Sequence, residues 1–423
     1  MLRFIYNFAG LLGIPFICIY YILYSIIKKR KIYHALQRIG IYKKHLVAPC
    51  IHIHGVSLGE AMIGHKLGAS LNKDFEILYT TITDSGFKYL NRQEGLNVAA
   101  FPLDNYMFVR SFMKNHNIQA SLFIETEIWP EFIFQAEQAG VKLYLVNARL
   151  SERSFPSYRR MRFFFGPLLN RFERIFLQSA SEMPKFAELG VDRAKMLETG
   201  NIKYDLSDFQ DEKNIEKYRQ ELGLKSQDIV IVAGSTFEEE EAMLANTYRQ
   251  LKNDFKDLRM IIAPRHPHRF EDVYSRFSDA GFDTVKREPG PESMESWDIL
   301  ILNTLGELKY VYGAGHIAFV GGSLVRIGGH NILEPAFWSR AIVTGKHYHN
   351  FSGIVNDFLV QDAVLIVKDQ KELYKSFLRL IEDADYRMYL GQNAKKVLED
   401  NRGALGKTQK AVRDGIIKDI HQV

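Results

Sequence analysis

Beyond residue 48 the chain repeats one pattern: a short apolar run rich in Ile and Val, a turn, then a stretch whose apolar residues recur at helical spacing. Short apolar strands alternating with helices are the pattern of parallel α/β units. In the first half the expected strands are Cys50–Val56, Ile77–Thr81, Val98–Phe101, Ser121–Ile124, Lys142–Val146 and Arg174–Gln178, with Lys195–Glu198 as a short edge. In the second half they are Ile229–Ala233, Arg259–Ala263, Ile299–Leu302, His316–Phe319, Ala341–Val343 and Ala363–Val367. Ser207–Asp228, charged and helical in pattern, reads as the linker and first helix between two Rossmann-like domains. The expected divisions are an anchor and basic flank (1–31), a first domain (32–206), a linker (207–228), a second domain (229–400) and a terminal helix (401–423). With 423 residues, 46% of them hydrophobic, there is apolar mass for two cores. Two cysteines leave no disulfide framework, so a reducing compartment is expected.

From Phe4 to Ile27 there is no charged residue. As a helix this run would be about 36 Å long, enough to cross a hydrocarbon core of about 30 Å. Tyr20, Tyr21 and Tyr24 would sit near one interface. The run is longer than a signal-peptide core and stops at Lys28-Lys29-Arg30-Lys31 without a small-residue cleavage site. Cytoplasmic flanks collect Lys and Arg, so a single-pass anchor in the inner membrane is expected, with everything after residue 28 on the cytoplasmic side. The formal charge is +5, and residues 28–46 hold seven basic residues and no acid, which leaves the remainder net negative by two. The basic collar, extended by Arg38, Lys43 and Lys44, suits an anionic membrane surface.

In open α/β sheets, ligands bind beyond the carboxyl ends of the strands. The first strand runs into Gly55-Val56-Ser57-Leu58-Gly59-Glu60. Two readings of Glu60 are open: a capping-box residue folded back on Ser57, or a general base for a hydroxyl. Ile124-Glu125-Thr126-Glu127-Ile128-Trp129-Pro130 places two carboxylates after a buried strand, Glu125 with the stronger claim. Asn147–Arg153 leads into Tyr158–Phe165, where basic and aromatic residues interleave. With a membrane anchor at hand, lipid headgroups or a phosphorylated glycolipid match this stretch better than nucleic acid; the alternative reading is a core helix with one solvated face.

In the second half, Gly234-Ser235-Thr236 precedes Glu238–Glu241 and reads as a cap with an acidic first turn. Pro264-Arg265-His266-Pro267-His268-Arg269 holds an Arg suited to phosphate. His266 and His268, beside arginines and with no carboxylate or Cys set, make a poor metal site. The glycine pairs Gly321-Gly322 and Gly328-Gly329 are expected to form an anion-binding mouth of backbone amides. Asn331-x-x-Glu334 could be a capping box, but the preferred reading is a Glu that holds the vicinal hydroxyls of a ribose.

Together Gly55–Glu60, Glu125–Pro130, Asn147–Ser151, Thr199-Gly200-Asn201-Ile202-Lys203-Tyr204-Asp205, Pro264–Pro267 and Gly321-Gly322-Ser323 through Glu334-Pro335 resemble the 3-deoxy-D-manno-octulosonic acid (Kdo) transferases that act on lipid A. The resemblance implies a GT-B fold, with two Rossmann-like domains facing a central cleft. It implies CMP-Kdo as donor, the lipid A precursor lipid IVA as acceptor, inversion at the anomeric carbon, a place in lipopolysaccharide biosynthesis, and neither metal nor cofactor. The first domain would bind the acceptor and the second CMP-Kdo. Carried over, Glu60 is the general base, and Glu125 and Lys203 stabilise the transition state. Pro264, Arg265, Leu305, Gly306, Glu307, Asn331, Ile332, Leu333 and Glu334 form the CMP pocket. The chain departs from the family pattern at Phe237, Glu239 and Asn303. The competing readings are a GT-B enzyme with a UDP-sugar donor and a non-catalytic lipid-binding relative.

Overall fold

Two all-parallel sheets carry the architecture of the computed structural model, which describes residues 3, 6–8, 10, 13, 32–42, 46–72, 74–207, 215–288 and 296–420. The first sheet contains β1 (Leu46–His54), β2 (Glu76–Thr81), β3 (Asn97–Ala100), β4 (His116–Ile124), β5 (Lys142–Ala148), β6 (Arg174–Leu177) and β7 (Met196–Glu198), in the order β3-β2-β1-β4-β5-β6-β7. The second contains β8 (Ile229–Thr236), β9 (Leu258–Pro264), β10 (Thr284–Lys286), β11 (Ile299–Ile301), β12 (Ile317–Val320), β13 (Ala341–Gly345) and β14 (Leu365–Val367), in the order β10-β11-β9-β8-β12-β13-β14.

Both sheets are covered by helices, so their strands are apolar on both faces, as Ile51, Ile53, Leu122, Phe123, Val232 and Phe319 show by full burial. The strand order reverses between β1 and β4, which pair through Ile53 and Leu122, and between β8 and β12, which pair through Val232 and Ala318. Chain segments leaving neighbouring strands in opposite directions open a crevice at each reversal. Gly55 and Glu125 flank the first, Ser235 and Gly321 the second.

One strand was not expected from the sequence: β10, three half-buried residues pairing with β11. β1 ends at His54 instead of Val56, which frees Gly55–Ser57 to start the helix Leu58–Leu71. Two histidines inside β1 are structural. His52 bonds Ser121 Oγ at 3.1 Å and Thr80 Oγ1 at 2.7 Å, and His54 bonds the same Thr80 oxygen at 2.8 Å. Burial pushes the His54 imidazole down to about 3, so it stays neutral.

The chain forms two units, residues 1–206 with 402–423, and residues 207–401. The helix Ala404–Ile420 belongs to the first. Its entry is tied by Asp205, whose two carboxylate oxygens accept the Gly403 and Leu405 amides at 2.7 Å each. In the stretch expected to be a linker, the helix Ile215–Glu221 sits on the second unit, with Trp297 Nε1 donating to Leu222 O at 2.9 Å just beyond its end.

Most of the expected membrane span, Phe4–Ile27, lies outside the described residues, and no described helix is long and apolar enough to cross a membrane. Its beginning needs correcting. Arg3 makes a two-pronged bond to Glu131 at 2.7 and 2.9 Å, Asn7 Nδ2 donates to the same carboxylate at 2.6 Å, and Tyr6 Oη donates to Asp104 at 2.8 Å. Asp104 in turn accepts the Glu131 and Phe132 amides and so caps the helix Pro130–Gln138 from a distant loop. Arg3, Tyr6 and Asn7 are therefore keyed to the first unit, because Glu131, at 0% exposure, requires charged and polar partners.

Candidate functional site

At the first reversal the chain leaves β1 through Gly55, whose position admits no side chain: a Cβ there would lie 2.8 Å from the Glu60 carbonyl carbon. Ser57 caps the helix Leu58–Leu71 and Glu60 completes a capping box. The Glu60 carboxylate accepts the Val56 amide at 2.6 Å, the Ser57 amide at 3.4 Å and the Ser57 hydroxyl at 2.7 Å. Burial, with the nearby Glu125 charge, holds Glu60 above the ordinary carboxyl range against the pull of those bonds.

Glu125, the first residue beyond β4, lies in the left-handed region at φ 63°. Its amide donates to Val146 O at 2.7 Å, which turns the side chain toward Lys203, with Nζ 2.6 Å from one carboxylate oxygen; Arg149 Nε lies 4.0 Å from the other. Asn147, at the end of β5, is also left-handed at φ 59°. Its Oδ1 accepts the Ile202 amide at 2.9 Å, which sets the backbone beside Lys203. Two non-glycine residues in this region, each at a cost of about 1–2 kcal/mol, mark a built site. Glu127 is the third carboxyl of the group. Burial, then the charges of Glu60 and Glu125, push it up to about 8. Around neutrality it therefore carries a proton while Glu125 is ion-paired with Lys203.

The sequence-predicted Glu60, Glu125 and Lys203 thus meet at one switch point. Asn147 and the unusual state of Glu127 were missed, although Asn147 stands at the end of buried β5 and Glu127 in the turn after buried β4. The basic and aromatic stretch divides between two roles. Tyr158, Phe164 and Phe165 pack on the core, while Phe163 is 64% exposed and Arg159 pairs with Glu188 at 3.3 Å.

In the second unit, Gly234 packs so closely on Tyr312 that a Cβ would lie 2.0 Å from the phenol oxygen. The expected cap at Ser235 or Thr236 is not formed. Phe237 is the N-cap residue of the helix Glu238–Asp254, and the Thr236 hydroxyl donates instead to Glu241 at 3.0 Å. The expected anion mouth is not formed either. The amides of Gly322, Ser323 and Leu324 all donate to the buried Glu240 carboxylate, at 2.8, 2.9 and 2.9 Å. Those of Gly328 and Gly329 donate to Gly322 O, at 3.1 and 2.7 Å. The nest is real, but its anion is the chain's own.

Side chains remain for an external anion. Arg265 is exposed, its amide held by Thr236 O at 3.1 Å. His330 lies parallel to the Phe237 ring at 5.9 Å; burial, with Arg265 and His266 nearby, pushes its imidazole down to about 4. Burial pushes the Glu334 carboxyl up, opposed by Asn331, Lys309 and Arg265. Glu334 bonds the Asn331 side chain at 3.3 Å, and Asn331 caps the Leu333 amide at 3.1 Å. Since Glu334 is bonded to the Asn331 side chain and not to its backbone, the reciprocal capping box is absent among the described residues. Its second carboxylate oxygen keeps acceptor capacity. Glu307 is engaged internally. Against the upward push of burial, the Thr304 hydroxyl, Arg287 and Tyr218 hold it below the usual range. Leu305 is 72% exposed and Gly306 lies at φ 88° with open space beside it. Pro264, Ile332 and Leu333 are buried, so Ile332 and Leu333 have only main chain to offer a ligand.

A family model described as 3-deoxy-D-manno-octulosonic-acid transferase matches residues 33–206. The 3-deoxy-D-manno-octulosonic acid transferase of Haemophilus influenzae is 31% identical over 414 residues, 96% of this chain and 96% of that protein. The enzyme of the same name from Rickettsia felis is 32% identical over 367 residues, covering 84% and 77% of the two chains. Among solved structures, a glycosyltransferase from Rickettsia africae, 13% identical, superposes with a TM-score of 0.58 over 89% of this chain and 100% of that one, which is a likeness of fold. Conservation of sequence over nearly the full length of both proteins places the chain in the 3-deoxy-D-manno-octulosonic acid (Kdo) transferase family.

Proposed function

We propose that the chain transfers Kdo from CMP-Kdo to a hydroxyl of the lipid A precursor lipid IVA, in lipopolysaccharide biosynthesis, with inversion at the anomeric carbon. The acceptor hydroxyl attacks that carbon as CMP departs, and a carboxylate takes the hydroxyl proton, so no covalent sugar intermediate forms. Glu60 is the base, with Lys203 and Glu125 balancing the charge that develops during transfer. The observation that carries this reading is the grouping of Glu60, Glu125 and Glu127 near one another at the first switch point, with Lys203 paired to Glu125.

The donor side rests on Arg265 for phosphate and Glu334 for ribose, with Pro264, Leu305–Glu307 and Asn331–Leu333 around them. The amino-terminal segment and basic collar hold the protein to the cytoplasmic face of the inner membrane, where the acceptor's acyl chains stay embedded. Glu60 is well satisfied inside its capping box, and this favours a second assignment of the base. Glu127, pushed up to about 8, would take the proton in Glu60's place through its deprotonated fraction, which grows as pH rises toward that value.

Full-length protein in detergent, given CMP-Kdo and lipid IVA, is expected to release CMP and add the mass of Kdo to the lipid. No mass gain with CMP-Kdo, or a gain only with UDP-sugars, overturns the reading. Arg265→Ala is expected to weaken CMP binding about tenfold or more, and unchanged affinity by calorimetry rejects that residue's role.

A further inference from the structure

The first turn of the helix Glu238–Asp254 carries two adjacent carboxylates at 0% exposure, Glu240 and Glu241, which play no part in the chemistry above. They reach in different directions. Glu240 accepts four backbone amides: Phe237 at 3.1 Å on its own helix, and Gly322, Ser323 and Leu324 on the loop after β12. That loop continues the support, since Gly322 O holds the Gly328-Gly329 turn leading to His330 and Glu334. Glu241 accepts one hydrogen bond from the Arg269 guanidinium at 3.0 Å, with a second guanidinium nitrogen 2.9 Å from its other oxygen, and accepts the Thr236 hydroxyl at 3.0 Å. The loop after β9 is therefore gripped at both ends, at Arg265 through Thr236 O and at Arg269 through Glu241.

We infer that Glu240 and Glu241 are positioning residues of the donor pocket, consecutive carboxylates on one rigid turn that set the separation between the wall carrying Arg265 and the wall carrying Glu334. This rests on the reading of Arg265 and Glu334 as donor-binding groups. A carboxylate suits the Glu240 site because it presents acceptors only, and every partner is a donor. A glutamine would turn an NH2 group toward at least one backbone N–H. Nearby loops displaced by a fraction of an ångström lose donor affinity without losing the fold.

The test uses the full-length protein and the variants Glu240→Gln, Glu241→Gln and Arg269→Lys. Each is expected to raise the Kd for CMP and the KM for CMP-Kdo, about tenfold for the glutamines and several-fold for Arg269→Lys, with kcat and the acceptor KM near wild type. Hydrogen exchange of the 321–329 segment is expected to quicken in Glu240→Gln alone. A purely structural role would lower kcat through the folded fraction and leave Kd and KM unchanged, and that result in all three variants overturns the inference. Arg269→Lys, which keeps the charge and loses the planar guanidinium facing both carboxylate oxygens, carries the test if a glutamine variant does not fold. Arg265→Ala separates the two levels. If it loses CMP while the three variants keep it, the pocket stands and the positioning inference falls; if it binds CMP as wild type does, the pocket assignment falls.

Discussion

Lys203 Nζ lies 2.6 Å from the Glu125 carboxylate, with the two side chains only 20% and 17% exposed. The residues are far apart in sequence and meet because Asn147 holds the Ile202 amide while Glu125 turns through left-handed backbone. Both ends of this ion pair are thus fixed by backbone geometry.

Strain at Glu125 has a measurable counterpart. A glycine adopts φ 63° freely and an alanine does not. Glu125→Gly and Glu125→Ala should both lose most of their transfer activity, yet the glycine variant should be more stable than the alanine variant by about 1 kcal/mol. Urea midpoints of the two, compared directly, check this; equal midpoints would mean that the left-handed turn stores no strain.

Glu60→Gln separates the base from the cap. The variant keeps the side-chain length and one acceptor oxygen for the capping box while removing basicity. If Glu60 is the base, kcat should fall about 10²-fold or more with CMP affinity and melting temperature near wild type. A lowered melting temperature with turnover per folded molecule intact would identify it as a helix cap and move the base to Glu127.

Glu127 makes stability depend on pH in a defined direction. Its folded-state carboxyl is pushed up to about 8 by burial and by Glu60 and Glu125, above the ordinary value of 4.5. A raised carboxyl favours the protonated folded state, so its contribution is complete below about 4.5 and is lost as pH rises toward about 8. Glu127→Gln mimics the protonated form at every pH. The melting temperature of this variant, relative to wild type, should therefore climb between about pH 5 and pH 8. A difference that stays flat across that window would place Glu127 in the ordinary carboxyl range.

The Arg3–Glu131 bond predicts that the amino-terminal turn supports the domain as well as preceding the apolar run. Arg3→Ala leaves a fully buried carboxylate with Asn7 and Gln135 as its remaining side-chain partners. The expected loss is about 1.5–3 kcal/mol of stability in the first unit. Arg3→Ala combined with Glu131→Gln should recover part of it, because a neutral amide needs no cation. Equal urea midpoints for wild type and Arg3→Ala would show that the clasp carries no energy.

What the sequence could announce is what depends on local pattern. Strands buried on both faces must be apolar throughout, so β1, β4, β8 and β9 stood out, and the turns after them drew attention to Glu60, Glu125 and Arg265. β10 did not stand out, because Thr284-Val285-Lys286 is short and half-buried and needs no continuous apolar run. Glu240 and Glu241 carried a weak signal: helical spacing sets them on the same face as Leu244, Ala245 and Tyr248, all buried. Read locally, they looked like an acidic first turn.

Partnership was decided by the tertiary structure alone. The glycine nest was legible as an anion site, but its anion is a carboxylate 82 residues upstream of Gly322. The apolar run at the amino terminus was legible as membrane-seeking, yet Arg3 meets Glu131 across 128 residues of chain. Glu125 was legible as a site residue, whereas its lysine arrives on a segment held by Asn147. The physical reason is the same in each case. Hydrophobic burial leaves a periodic trace in neighbouring residues, while the identity of a charge's partner depends on which distant segments the fold brings within hydrogen-bond reach.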